Sequence, residues 1–190
     1  MKLFFIRHRE TNVNVNGGVH TQSDANGLNE NGKLQINRAA NKLMGNEIEK
    51  VFCSPELRAI ESAKILGEVL KTDIVIESNL KERNWGDWAI LDWLDIKSRL
   101  DAMSIEDRYR FVPPGGESWE QMESRLKNCI NNISKMNYMA VAVVVHEGAM
   151  RSIMPYLTYK DKSESLNYNF ANGSVTSFEF RRGKYKNLTT

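Results

Sequence analysis

Three histidines occur in 190 residues, and two of them directly follow apolar runs. The stretch "KLFFIRHRET" carries Leu3 to Ile6 straight into Arg7, His8, Arg9 and Glu10, and "MAVAVVVH" ends on His146. A short apolar run bounded by polar residues fits a strand buried on both faces, although periodicity alone does not separate it from a buried helix segment. In open α/β sheets ligands bind in the crevice beyond the carboxyl ends of the strands. A histidine between two arginines at such an end points to a local anion site, with an ordinary polar strand terminus as the plainer alternative. If both runs are strands of one parallel sheet, His8 and His146 share an edge, joined there by Arg7 and by Arg58 from a predicted helix start. A phosphoryl group needs cations around its equatorial oxygens, an in-line nucleophile and an acid for the leaving oxygen. These residue types match that need.

Composition narrows the partners. A formal net charge of +2, from 26 basic and 24 acidic residues, is too balanced for a nucleic-acid or membrane-surface protein, so any anion site is local. No apolar stretch approaches the ~18 residues of a membrane span, and the start of the chain lacks a signal-peptide pattern, so a cytoplasmic protein is expected. Cys53 and Cys129 lie far apart without metal-ligand spacing and read as reduced thiols in or near the core.

The elements that must position the histidines alternate. Residues 12 to 32 have no apolar periodicity and read as a long loop, of the kind usually functional or disordered in compact domains. A helix follows with Leu34, Ala39, Ala40, Leu43 and Met44 on one predicted face and Gly45 as its stop. "KVFCS" reads as a second buried strand. Ser54 as N-cap with Pro55 at the first helical position starts a helix through Lys71, with Leu57, Ile60, Ile65 and Val69 buried and Arg58 in its first turn. "DIVIES" is a third strand. Residues 90 to 111 form one or two helices, "VPPGGES" breaks the chain, and a longer helix runs from about Trp119 to Lys135. After His146, "EGAMRSIMPYL" opens a short helix and "GSVTSFEFRRGKYKNL" reads as two strands around Arg182 and Gly183. Strands alternating with helices predict an α/β sandwich with a mostly parallel central sheet. One domain over 1–190 is expected, with a helical insertion at about 88–118 covering the active site.

"RHRET" followed by Asn14, "SPELRAIESA", "LKERNWGDW", "PPGGES" and "VVVHEGAMR" resemble, in order, the motifs of the histidine phosphatase superfamily, also called phosphoglycerate mutase-like. The resemblance spans about residues 2 to 151. It implies a three-layer αβα sandwich and a phosphohistidine intermediate, with no metal and no organic cofactor. By the same resemblance His8 is the nucleophile, Arg7 and Arg58 clamp the phosphoryl oxygens, and His146 donates to the phosphoryl group. Glu82 is the proton donor to the leaving alcohol, and Asn14 contacts phosphate.

The sequence also departs from the family pattern. Arg9 and Glu147 stand where a glycine usually follows each histidine, and both are expected near the substrate, paired with each other at the pocket rim. His20-Thr21 replaces a common Gln-Gly, with His20 either contacting phosphate or lying at the surface. Trp85, Trp88, Trp93 and Trp119 read as packing residues, with stacking on an aromatic substrate as the alternative. The expected activity is metal-independent hydrolysis of a small phosphorylated metabolite. Phosphoglycerate mutase-type transfer and a catalytically weak phospholigand binder are the alternatives, and a homodimer is compatible with the sequence.

Overall fold

The computed structural model describes residues 1–170 and 174–189. Six strands form one sheet in the order β3-β2-β4-β1-β5-β6: β1 (Lys2–Arg7), β2 (Ile48–Cys53), β3 (Ile74–Ile76), β4 (Ala140–Val145), β5 (Val175–Arg181) and β6 (Lys184–Asn187). The first four are mutually parallel, and β5 and β6 add antiparallel at one edge. β4 holds the interior because all six of its residues are buried. An Ala/Val segment with no polar side chain can sit only where both faces are covered.

Strand side chains alternate between faces, and the two faces carry different helices. Leu3, Phe5, Val141, Val143 and Val145 pack against α6 (Trp119–Ser134) and α7 (Glu147–Thr158). Phe4, Ile6, Ala142 and Val144 pack against α2 (Glu30–Leu43) and α3 (Leu57–Leu70). The result is the three-layer αβα sandwich with a mostly parallel sheet. β5 and β6 turn through Arg182 at φ 52° and Gly183 at φ 76°, two successive left-handed residues of the kind that suits the twist of a tight hairpin. Gly173 of that predicted stretch lies outside the described residues.

Three local readings change. α1 (Asn12–Val15) is one helical turn inside the region expected to be loop, capped by the Thr11 side chain accepting from Asn14 N–H. On α2 the buried stripe is Ile36, Ala39, Ala40 and Leu43, while Leu34 and Met44 are exposed. The spacing of i, i+3, i+4 and i+7 from Ile36 selects that face, and Leu34 lies two residues away on the opposite side. α3 begins at Leu57 with Glu56 in the N-cap position, because the Ser54 hydroxyl is engaged elsewhere. Its buried stripe is Ala59, Ser62, Ala63, Leu66 and Gly67, and Leu57, Ile60, Ile65 and Val69 flank it half-buried. Small residues let the helix approach the sheet closely.

Between β3 and α6 the chain forms α4 (Trp93–Asp101) and α5 (Ile105–Arg110), resting on a small core of Trp85, Ile96 and Leu100. α6 then starts with a capping box, Ser118 with Gln121. Segments 84–87 and 113–117 cross in direct contact: Asp87 N–H donates to Pro114 O at 2.9 Å and Glu117 N–H to Asn84 O at 2.9 Å. Gly86 makes the crossing possible, since its φ is +51° and a Cβ there would lie 2.0 Å from Pro114 O. Gly86→Ala is therefore expected to destabilise by about 1–3 kcal/mol, which is roughly 3–10 °C in Tm for a chain of this size. Gly45→Ala, at φ +82° with no atom within 4 Å of the added carbon, is expected to cost less. Thermal unfolding of the two variants checks both, and equal losses would contradict the close-approach explanation.

Candidate active site

In the pairing of β1 with β4, Arg7 stands opposite Val145. The next residue of each strand is a histidine, and the two rings lie 5.0 Å apart between centroids. The backbone N–H of His8 donates to Val145 O at 2.8 Å, which extends the ladder one step and fixes the ring's origin. Its Nδ1 lies 2.8 Å from Arg9 O. A carbonyl only accepts, so Nδ1 carries the proton and Nε2 keeps a lone pair. Burial, then the charges of His146, Arg58 and Arg7, holds His8 well below the usual histidine pKa. The ring is neutral at physiological pH.

His146 is fully buried and its Nε2 is doubly engaged, 2.8 Å from Ser54 Oγ and 2.8 Å from Glu56 Oε2. Its Nδ1 has no partner among the described residues. Arg58, in the first turn of α3, is 1% exposed, and among the described residues its Nε and Nη1 make no hydrogen bond, the nearest carboxylate being Asp24 at 3.9 Å. Arg7 Nη1 donates to Phe170 O at 3.0 Å and to Glu147 at 2.7 Å, and its Nε has no partner among the described residues.

The expected pairing of Arg9 with Glu147 does not occur. Glu147 opens α7 instead of extending β4, and α7 packs on the sheet face that carries Leu3, Phe5 and then Arg7. Arg7 is thus the arginine it meets. Arg9 is wholly buried away from the cavity, with no partner for its guanidinium among the described residues, and burial beside Arg7 lowers its pKa to about 10.

Glu82 reaches the same edge from the loop after β3. Its carboxylate accepts from Arg83 N–H and Gly148 N–H, both at 2.9 Å. Gly148 permits this approach, because a Cβ there would lie 2.5 Å from Glu82 Oε1. Burial pushes the Glu82 carboxyl above its ordinary pKa despite these bonds. Glu56 ties the groups together: one oxygen meets Ser54 and His146, and the other accepts from Glu82 N–H at 3.1 Å. Its own carboxyl is also raised by burial.

His20 is buried beside the cavity, its Nδ1 2.8 Å from Asp24 and its Nε2 2.8 Å from Thr11 Oγ1, with its ring 6.0 Å from that of His8. Asn14 lines the cavity and accepts from the Thr11 hydroxyl at 3.0 Å. Thr21 is not brought to the cavity wall; the following residue, Gln22, donates to Glu82 O at 2.6 Å.

A family model described as "Histidine phosphatase superfamily (branch 1)" matches residues 3–189. The chain belongs to the histidine phosphatase superfamily. Phosphoserine phosphatase 1 of Hydrogenobacter thermophilus is 25% identical over 188 residues, covering 96% of this chain and 89% of that protein. The 2,3-bisphosphoglycerate-dependent phosphoglycerate mutase of Thermoplasma acidophilum is 26% identical over 183 residues, covering 96% of this chain and 89% of that protein. The structure of the α-ribazole phosphatase from Shigella flexneri superposes with a TM-score of 0.85 at 21% identity, covering 98% of this chain and 94% of that one.

In this histidine phosphatase superfamily chain the site opens into a cavity of about 340 Å³, walled by Trp85, Trp93 and Trp119 as well as by charged groups. Trp85 packs edge-on to Trp93 at 6.0 Å, as expected of packing residues, and both border the cavity. Among the described residues no group of three His, Cys, Asp or Glu could hold a metal ion, and no helix is long and apolar enough to cross a membrane. Burial raises the thiols of Cys53 and Cys129 to about 12. Reasoning from sequence missed Ser54, Glu56 and Gly148. Glu56 and Gly148 each sit two residues from a recognised position and Ser54 four residues from Arg58, but only the fold shows their side chains or backbone turned toward the site.

Both strand-end histidines are held neutral by burial and by neighbouring cations. Their folded pKa values lie below the unfolded value of ~6.5, so between those limits the unfolded chain binds more protons and stability rises with pH. The contribution is complete above the unfolded value and is lost as pH falls toward the folded ones. Denaturant unfolding is expected to lose up to about 1.4 kcal/mol per pH unit for each histidine as pH drops below ~6.5. A His146→Asn variant should show a shallower slope, and an unchanged slope would contradict the assignment.

Proposed function

We propose that the chain hydrolyses a phosphomonoester through a phosphohistidine on His8, without a metal ion. The observation that carries this is the state of His8: a neutral imidazole with Nδ1–H fixed on Arg9 O and Nε2 unprotonated, beside two arginines with unpaired buried nitrogens. Nε2 attacks phosphorus as the bond to the alkoxide oxygen breaks, and Arg7 and Arg58 stabilise the charge on the equatorial oxygens. Glu82, kept protonated further up the pH scale by burial, gives its proton to the leaving oxygen. Its carboxylate then takes a proton from water as the water oxygen bonds phosphorus and the N–P bond breaks.

Glu56 sets the second histidine. With its carboxyl raised by burial and His146 neutral, a protonated Glu56 donates to Nε2, which leaves Nδ1 as the N–H donor, suited to a phosphoryl oxygen. A catalytically weak binder loses its motive, since Arg9 is turned away from the cavity and Glu147 is neutralised by Arg7.

Incubation with substrate followed by rapid acid-free denaturation is expected to trap phosphate in an acid-labile, base-stable linkage that is absent from His8→Ala. Label retained by that variant would refute the nucleophile. Glu82→Gln is expected to slow esters of poor leaving groups by about 10²–10⁴-fold, the ordinary worth of general acid catalysis, and to slow an activated aryl phosphate far less. Equal losses on both substrates would remove the acid role.

A further inference from the structure

The cavity extends beyond the histidines to a second wall that the phosphoryl chemistry leaves unused. It carries three arginines from three segments: Arg83 next to Glu82, Arg108 from α5 and Arg151 from α7. Arg83 is 2% exposed, gives Nε to Glu117 O at 3.1 Å and Nη2 to Phe111 O at 2.8 Å, and lies 4.3 Å over the Trp85 ring. Arg151 gives Nε to Ser165 O at 3.2 Å and Nη2 to Leu166 O at 3.0 Å. Neither Nη1 has a hydrogen-bond partner among the described residues.

Carbonyls orient a guanidinium without cancelling its charge. Of the three, only Arg108 makes an ion pair among the described residues, with Asp101 at 3.0 Å, a carboxylate shared with Lys97 and half exposed. Its Nε and Nη2 have no hydrogen-bond partner among the described residues. Burial pulls Arg83 down to about 10 and also lowers Arg151, and Arg108 adds like charge to both against the opposing carboxylates of Glu117, Glu147 and Glu82. Glu117 and Glu82 lie near Arg83, and Glu147 and Glu82 near Arg151, but among the described residues none of them bonds these guanidinium groups: Glu117 is held by Arg125, Glu147 by Arg7 and Glu82 by backbone N–H groups. Like charges gathered in a partly buried wall, oriented by neutral acceptors and left with spare donors, are matched by an anion.

We infer that the leaving group of the substrate carries a second oxyanion, a carboxylate or a further phosphoryl group, bound by Arg83, Arg108 and Arg151. This rests on the phosphatase reading above and narrows its substrate class. Neutral sugar or nucleoside leaving groups would leave the three guanidinium groups unmatched. The tryptophan-lined space between the walls suits a short connecting chain in preference to a bulky polar one.

The experiment compares 3-phosphoglycerate, its methyl ester, glycerol 1,3-bisphosphate and 4-nitrophenyl phosphate on the full chain. The acid is expected to exceed its methyl ester in kcat/KM by about 10–100-fold, the worth of one or two hydrogen bonds to a charged group, with most of the difference in KM. Arg108→Gln is expected to shrink that ratio several-fold, and Arg108→Lys to restore part of it, which a loss of folding would not do. A preference for the bisphosphate over the acid would assign the wall to a phosphoryl group. Equal kcat/KM for acid and ester, unchanged by Arg108→Gln, would overturn the inference. Turnover of no compound, the aryl phosphate included, would count against the phosphatase reading. Calorimetric binding of the acid and the methyl ester then decides the second-anion wall by itself, equal affinities overturning it.

Discussion

The parallel pairing of β1 with β4 is the constraint on which the rest depends. Two strands in the middle of the sheet end at the same level, with Arg7 opposite Val145, and each hands its chain to a histidine. A slip of one residue would turn every side chain of a strand to the other face, so the core of both layers enforces the register. Leu3 and Phe5 must meet α6 and α7, while Phe4 and Ile6 must meet α2 and α3. The site is therefore as rigid as the hydrophobic core. Its two rings are held 5.0 Å apart by the register that this core enforces.

Charge at this edge is concentrated by design of the backbone. Arg7, His8, Arg58 and His146 converge where the helix α7 also presents its N-terminus, a place where partial positive charge gathers. The fold answers this with carboxyls placed one at a time. Glu147 takes Arg7, Glu56 takes His146, Asp24 takes His20, and Glu82 sits on backbone N–H groups. Arg58 is left nearly unpaired, and two histidines are kept neutral. The outcome is an edge that favours an oxyanion while the His8 imidazole keeps its Nε2 lone pair available.

The segment between β3 and α6 builds the opposite wall by a different device. Its helices are short and rest on a small aromatic core, and its position depends on the crossing at Gly86 and on guanidinium groups that bind main-chain carbonyls. Arg125 does the same one layer down, donating to Asn79 O, Lys81 O and Glu82 O as well as to Glu117. Arginines thus serve as clamps on irregular backbone that strand and helix ladders cannot satisfy. Arg125 is balanced by Glu117, whereas Arg83 and Arg151 bond only carbonyls among the described residues and so leave the wall its charge.

The alternation of buried strands and amphipathic helices was legible in the sequence, because "MAVAVVVH" and "KLFFIRH" are short apolar runs that must be buried on both sides, and their alternation with helical patterns favours the middle of a sheet over a buried helix. So was the convergence of Arg7, His8, Arg58 and His146, which follows from strand ends sharing one edge. Helix faces were less legible: Leu34 and Met44 are as apolar as Ile36, and only the packing of α2 on the sheet decides which of them is covered. The partner of Glu147 was beyond sequence reasoning for a related reason. Proximity in register suggested Arg9, but the chain turns into α7 at that residue, and the sheet face on which the helix lies selects Arg7. Glu56 carried no signal either, since an acid before a helix reads as an ordinary N-terminal charge. Residue types and order determined which groups stand at the sheet edge. Which of them touch was decided by the tertiary structure, because hydrogen bonds and ion pairs act over a few ångströms, and such distances are set by the directions in which helices leave the strands.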